Sequence, residues 1–128
     1  MSAFDEFTRL ESEIAQQYGA FSLFAVVRLE AQELNLWDLV VSATWATSQD
    51  QLVEVLANRI SATFSDAALL QLARIFPVPA DDPGVRRLLA EYPVEHGRVE
   101  VREPEFLGLP ITRAYIITAR PAQPAVAA

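Results

Sequence analysis

From Trp37 to Trp45 the chain alternates. Trp37, Leu39, Val41, Ala43 and Trp45 fall on one side, while Asp38, Val40, Ser42 and Thr44 fall on the other. A period of two sends successive side chains to opposite faces of a pleated strand, so residues 36–46 read as a strand with one wholly apolar face. Two residues further on, Ser48-Gln49-Asp50-Gln51 has the form of a capping box, in which the serine hydroxyl and the glutamine side chain each satisfy a free backbone amide. Leu52, Leu56, Ile60 and Phe64 then recur at helical spacing. The chain must therefore pass from strand to helix within a few residues, and its fold must accommodate both.

The flanking segments fit that requirement. Phe4, Phe7, Leu10 and Ile14 mark an amphipathic helix over residues 4–17, with Asp5 and Glu6 near its positive end and Gly19 as a left-handed cap. Residues 21–30 form a strand whose Leu23, Ala25, Val27 and Leu29 share one face, with Phe24 and Val26 on the other. This strand pairs antiparallel with the next through a short connection. Asp66 is positioned to cap a short extra helix containing Leu69, Leu70 and Leu72, and residues 74–78 form a strand whose Pro77 restricts it to an edge or a strand end. Asp82-Pro83 starts another helix, with Asp82 as cap and Pro83 at the first helical position. Residues 96–102 and 110–119 form a hairpin across the turn-rich Glu103–Leu109 segment, with Ile111, Tyr115 and Ile117 on one face of its second strand and Ala114 and Ile116 on the other. The order predicts a single compact α+β domain over residues 1–120: a mixed, largely antiparallel sheet of about five strands packed against three or four helices. Residues 121–128, rich in Pro and Ala, read as a flexible tail.

Composition excludes more chemistry than it suggests. There is no Cys, one His, and all ten basic residues are Arg. Without Lys there is no Walker A lysine, Schiff-base amine or kinase phosphate lysine. Without Cys and with a single His there is no zinc-finger pattern or three-histidine zinc site. The four glycines are too scattered for a dinucleotide fingerprint, so neither a metal nor another cofactor is expected. The absence of Cys suits a reducing cytoplasm, and neither a signal-like N-terminus nor a membrane-length apolar run is present. The net charge of -7 sits wholly in residues 1–70, which carry ten acidic residues and three Arg, against seven of each in residues 71–128. That balance opposes general attraction to nucleic acid or anionic membranes.

Two functional classes follow. The first is a non-enzymatic, cytoplasmic binding or assembly module, contacting a protein partner or a second copy of itself. Its candidate contact residues are Phe106, which belongs to no regular apolar stripe, the aromatics Tyr115 and Trp45, and Arg98 and Arg102, which suit an acidic partner. The second is a small hydrolase or related acid/base enzyme using His96, the only imidazole, or a carboxylate pair such as Asp38 and Glu100.

Overall fold

The computed structural model describes residues 3–32, 34 and 36–121; the Pro/Ala-rich tail lies outside the described residues apart from Pro121. The elements are α1 (Ala3–Tyr18), β1 (Leu23–Leu29), β2 (Trp37–Ser42), α2 (Gln49–Thr63), α3 (Asp66–Leu69), β3 (Leu72–Pro77), α4 (Pro83–Glu91), β4 (Val99–Glu100), β5 (Glu105–Phe106) and β6 (Leu109–Ala119). The strands form one mixed sheet in the order β3-β2-β1-β6-β4, with β5 paired to β6. Only β2 and β3 run parallel, because the α2–α3 crossover connects them; the β1–β2, β1–β6, β4–β6 and β5–β6 pairs are antiparallel. This is a single α+β domain with helices on both faces of its sheet.

Two cores lie on opposite sides. On the first face Phe24, Val26, Leu39, Val41, Tyr115 and Ile117 pack against Phe7, Leu10 and Ile14 of α1 and Leu52, Leu56 and Ile60 of α2. On the second, Leu23, Ala25, Val27, Val40, Ala114 and Ile116 pack against Val85, Leu88 and Leu89 of α4. The first five residues of β1 are buried whichever way they point, which explains why this strand lacks the polar alternation of one with a wet face.

The helix starts follow their side-chain chemistry. Ser48 accepts from the Gln51 amide at 3.0 Å, while the Gln51 side chain reaches back past it to the backbone amide and hydroxyl of Thr47. Asp82 accepts from the amides of Gly84 and Val85 and Pro83 takes the first helical turn. Ser65, rather than Asp66, caps α3 through the Ala68 amide, and Glu6 of α1 in turn accepts from both the amide and hydroxyl of Ser65.

Several boundaries depart from the sequence reading. β2 stops at Ser42 instead of running to Ala46, because its partner β1 begins at Leu23. Beyond Ser42 the chain turns at Thr44 and Trp45, and the Trp45 ring folds back to stack on Tyr18 at 5.1 Å. The 96–102 strand shrinks to Val99–Glu100, because His96 adopts a left-handed φ of 51° that no strand continues through. The expected seven-residue turn is a two-residue one: Leu107 (φ 51°) and Gly108 (φ 83°) join β5 to β6, the positive pair that a tight hairpin needs. That turn carries Phe106 inward, where it is 2% exposed in the second core. Phe106 is thus a core residue and not a free contact surface. The expected companionship of Ile111 with Tyr115 and Ile117 also fails, since a register shift places Ile111 opposite Leu29 in the second core.

Two measurements test this packing. Truncating Phe106 to Ala should cost about 3–5 kcal/mol in urea-induced unfolding, the range of a large aromatic removed from a core. Glu6, with a carboxyl held below the usual carboxylate range by its hydrogen bonds from Ser65, lends stability above its unfolded pKa that is lost as pH falls through the lowered folded value. The melting-temperature gap between wild type and Glu6→Gln should therefore be full at neutral pH and close on acidification.

Candidate functional site

The long strand β6 contains two irregularities, and a polar group of the first face stands beside each. Phe24 pairs with Thr118 while Ala25 pairs with Ile116, so Ile117 is extra; Arg28 pairs with Arg113 while Leu29 pairs with Ile111, so Thr112 is extra. A bulge of this kind re-aims the side chains around it. At the first shift, Ile117 packs in the first core and the neighbouring Thr118 reaches Glu11 of α1. At the second, Arg113 comes opposite Arg28.

The Thr118 shift builds a closed ring of hydrogen bonds. The His96 backbone amide donates to the Thr118 hydroxyl at 3.0 Å, and that hydroxyl donates to Glu11 Oε2 at 3.0 Å. Glu11 Oε1 lies 2.6 Å from His96 Nδ1. Glu11 is fully buried, and both of its oxygens are used. A carboxylate oxygen against Nδ1 favours the tautomer that carries its proton there, and 52% of the His96 side chain is exposed. A carboxylate in contact with one ring nitrogen fixes the orientation of an imidazole. The clefts beside Arg59, beside Trp45 and under Phe106 do not include His96 in their walls.

Next to the second shift, at the end of the same face, lies a row of arginines and aromatic rings. Arg28 lies over the Trp37 ring at 4.2 Å, and Trp37 is 6.0 Å from Tyr115. Arg98 lies over both Phe4 (4.2 Å) and Tyr115 (4.5 Å), and Arg113 donates to the Tyr115 hydroxyl at 3.3 Å. Arg102 pairs with Glu100 at 3.1 Å. The ion pairs seen among the described residues use Arg74, Arg87, Arg102, Arg120 and His96, and the Arg28 Nε–H is enclosed without an acceptor among those residues. Two like charges directly opposite one another on neighbouring strands repel. The rings beneath them offset part of this through cation–π attraction.

The residues expected from the sequence fall into separate places. Arg98, Arg102 and Tyr115 come together in the arginine row; Tyr115 is its buried floor at 9% exposure. Trp45 lies apart, half-buried between Tyr18 and Phe21, with its indole N–H enclosed and unpaired. Asp38 and Glu100 do not meet: they sit on β2 and β4, separated by β1 and β6, which is about 14 Å at ordinary strand spacing. His96 gains the partner Glu11, which the sequence reading missed. The signal was present, since Glu11 interrupts the apolar helical stripe Phe7, Leu10, Ile14. Arg28 was missed for a like reason, as it continues the Phe24, Val26 face of β1. Among the described residues no cluster of three or more His, Asp or Glu could hold a metal, and no helix is long and apolar enough to cross a membrane.

No protein-family model matches the chain, and no curated protein or solved structure shows significant similarity to it.

The ring of hydrogen bonds predicts two observations. Replacing Thr118 with Val strands a backbone donor and a buried carboxylate oxygen, and should cost about 1–3 kcal/mol of stability. In long-range proton–nitrogen spectra at mildly alkaline pH, wild-type His96 should be seen as the Nδ1–H tautomer.

Proposed function

We propose that this protein is a non-enzymatic binding module that holds an acidic segment of a protein partner across the Arg28–Arg113 end of its sheet. The observation that carries the reading is the direct cross-strand pairing of Arg28 with Arg113, set against the Trp37 ring and the Tyr115 hydroxyl, in a chain whose net charge is -7. Placing two guanidinium groups opposite each other works against folding, and an incoming carboxylate relieves the repulsion while forming charge-assisted hydrogen bonds. Arg98 and Arg102 extend the row, and Glu100 pairs with Arg102 within it. The partner is read as a short acidic peptide because a long polyanion would run onto the acidic N-terminal half. Exposed Leu34, Leu70 and Leu109 stand at the same end of the sheet, on connections that enter β2, β3 and β6, and would add apolar contact around the charged centre. They would serve equally in contact with a second copy of this chain. A reducing, cytoplasmic setting suits a chain without cysteine.

An oligo-glutamate peptide titrated at low salt should bind and alter the fluorescence of Trp37, which stacks under Arg28. Raising the salt should weaken binding steeply, and Arg113→Gln should weaken it roughly tenfold, the effect of about 1.4 kcal/mol. Lack of binding at low salt, or binding indifferent to Arg113→Gln, would reject the reading.

A second reading, a small hydrolase or related acid/base enzyme, is favoured by the Glu11–His96 contact at 2.6 Å. It requires that His96→Gln abolish turnover of simple activated esters, and equal rates for the two proteins would end it.

A further inference from the structure

The two buried carboxylates of the sheet are treated differently by their surroundings. Glu11 has a partner on each oxygen. Asp38 is also fully buried, but only its Oδ2 is bonded, accepting from the Gln32 amide at 3.0 Å. The Arg74 guanidinium stands 3.6 Å from that same oxygen, beyond good hydrogen-bond length. Oδ1 is enclosed with no partner at all. A carboxylate taken from water and left half-satisfied is costly, and nothing in the packing of β2 requires an acid between Trp37 and Leu39.

Asp38 belongs to the wall of a cavity of about 200 Å³ on the second face, under the β5–β6 hairpin. The other walls include Val27, Val40, Phe76, Phe106 and Leu107, and Asp38 is the single ionisable residue among them. The cavity exists because α4 is nine residues long and covers only part of this face, leaving the Asp38 end to the hairpin. A small apolar chamber with one anionic wall suits a ligand that is apolar except for one cationic donor. Its volume is near that of engineered cavities that accept benzene, so the ligand has on the order of six to ten heavy atoms.

Arg74 shows how such a cation would sit. Its guanidinium lies 4.8 Å from the centre of the Phe76 ring while facing Asp38, so a positive group already occupies the place between ring and carboxylate. It holds that place loosely: Arg74 comes from the edge strand β3, and its side chain is 56% exposed. It can leave for water at little cost.

From these observations we infer that the cavity beneath the β5–β6 hairpin is a binding site for a small apolar primary amine, whose ammonium group displaces Arg74 and pairs in its place with the half-satisfied Asp38 carboxylate. The site lies on the opposite face from the arginine row and does not depend on it. A carboxylate ligand is excluded by Asp38, and a metal by the lack of a second acidic ligand in the wall.

The test uses the whole chain with benzylamine and, as its uncharged counterpart, benzyl alcohol, followed by amide shifts in proton–nitrogen spectra and by melting temperature. Benzylamine should raise the melting temperature and shift the amides of Val27, Val40 and Phe106, with benzyl alcohol at least tenfold weaker. Asp38→Asn should weaken benzylamine at least tenfold. Arg74→Ala, which removes the competing cation from an exposed edge position, should strengthen it several-fold and gives a readout of opposite sign should Asp38→Asn fold poorly. Absence of benzylamine shifts around the cavity, equal binding of the alcohol, or an Arg74→Ala protein that binds no more tightly than wild type would each overturn the inference.

Discussion

The pairing of β6 with β1 fixes nearly everything else in this molecule. β6 also pairs with β4 and β5, so the four antiparallel strands β1, β4, β5 and β6 take their places from one eleven-residue segment. Because side chains alternate with a period of two, a shift of one residue in that register would exchange the two cores. Two extra residues, Thr112 and Ile117, make such shifts locally. Between them Tyr115 faces α1 while Ala114 and Ile116 face α4; beyond Thr112, Ile111 serves the α4 side as well. The regular register between the two irregularities sets Arg113 opposite Arg28, and Thr118, beside the first, reaches Glu11. Core assignment and polar placement thus have a common geometric origin.

Charge is handled in three ways on this scaffold. Glu11 is buried and fully bonded, so it ties α1 to the His96 turn and contributes more to specificity of arrangement than to net stability. Tyr92 illustrates the surface version: its hydroxyl donates to Glu103 at 2.5 Å, and that carboxylate pushes the phenol up to about 12, which joins the end of α4 to the segment leading into β5. Arg28, Arg98 and Arg113 are the third case, guanidinium groups set against aromatic side chains, the first two over ring faces and the third on a phenol hydroxyl. The first two arrangements are closed. The third is open to an acceptor from outside.

Much of the framework was legible in the sequence because it is periodic or locally capped. The α1 stripe, the opposed faces of β1, the caps at Ser48 and Asp82 and the edge position of Pro77 each follow from residues within one turn or one strand of each other. What escaped was of two kinds. The Leu107-Gly108 turn lacks the Asn-Gly or Asp-Gly pair that usually marks such hairpins, so Phe106 looked free when it is enclosed. Bulges have no composition of their own, and they decided where Thr118 and Ile111 point. The candidate sites suffered most, since Glu11 and His96 are 85 residues apart in sequence and Arg28 and Arg113 are equally distant; only the oddity of a charge on an apolar stripe hints at either.

Pro77 has a meaning for how this chain lives among its copies. An open sheet offers unpaired backbone groups at each border, which another chain can extend. Here one border is β4, only two residues long, and the other is β3, whose last residue has no amide hydrogen to give. Neither border is a good template for continuous strand addition. Association of this protein, with itself or with another, is therefore steered away from sheet growth and towards side chains, where recognition is selective and reversible.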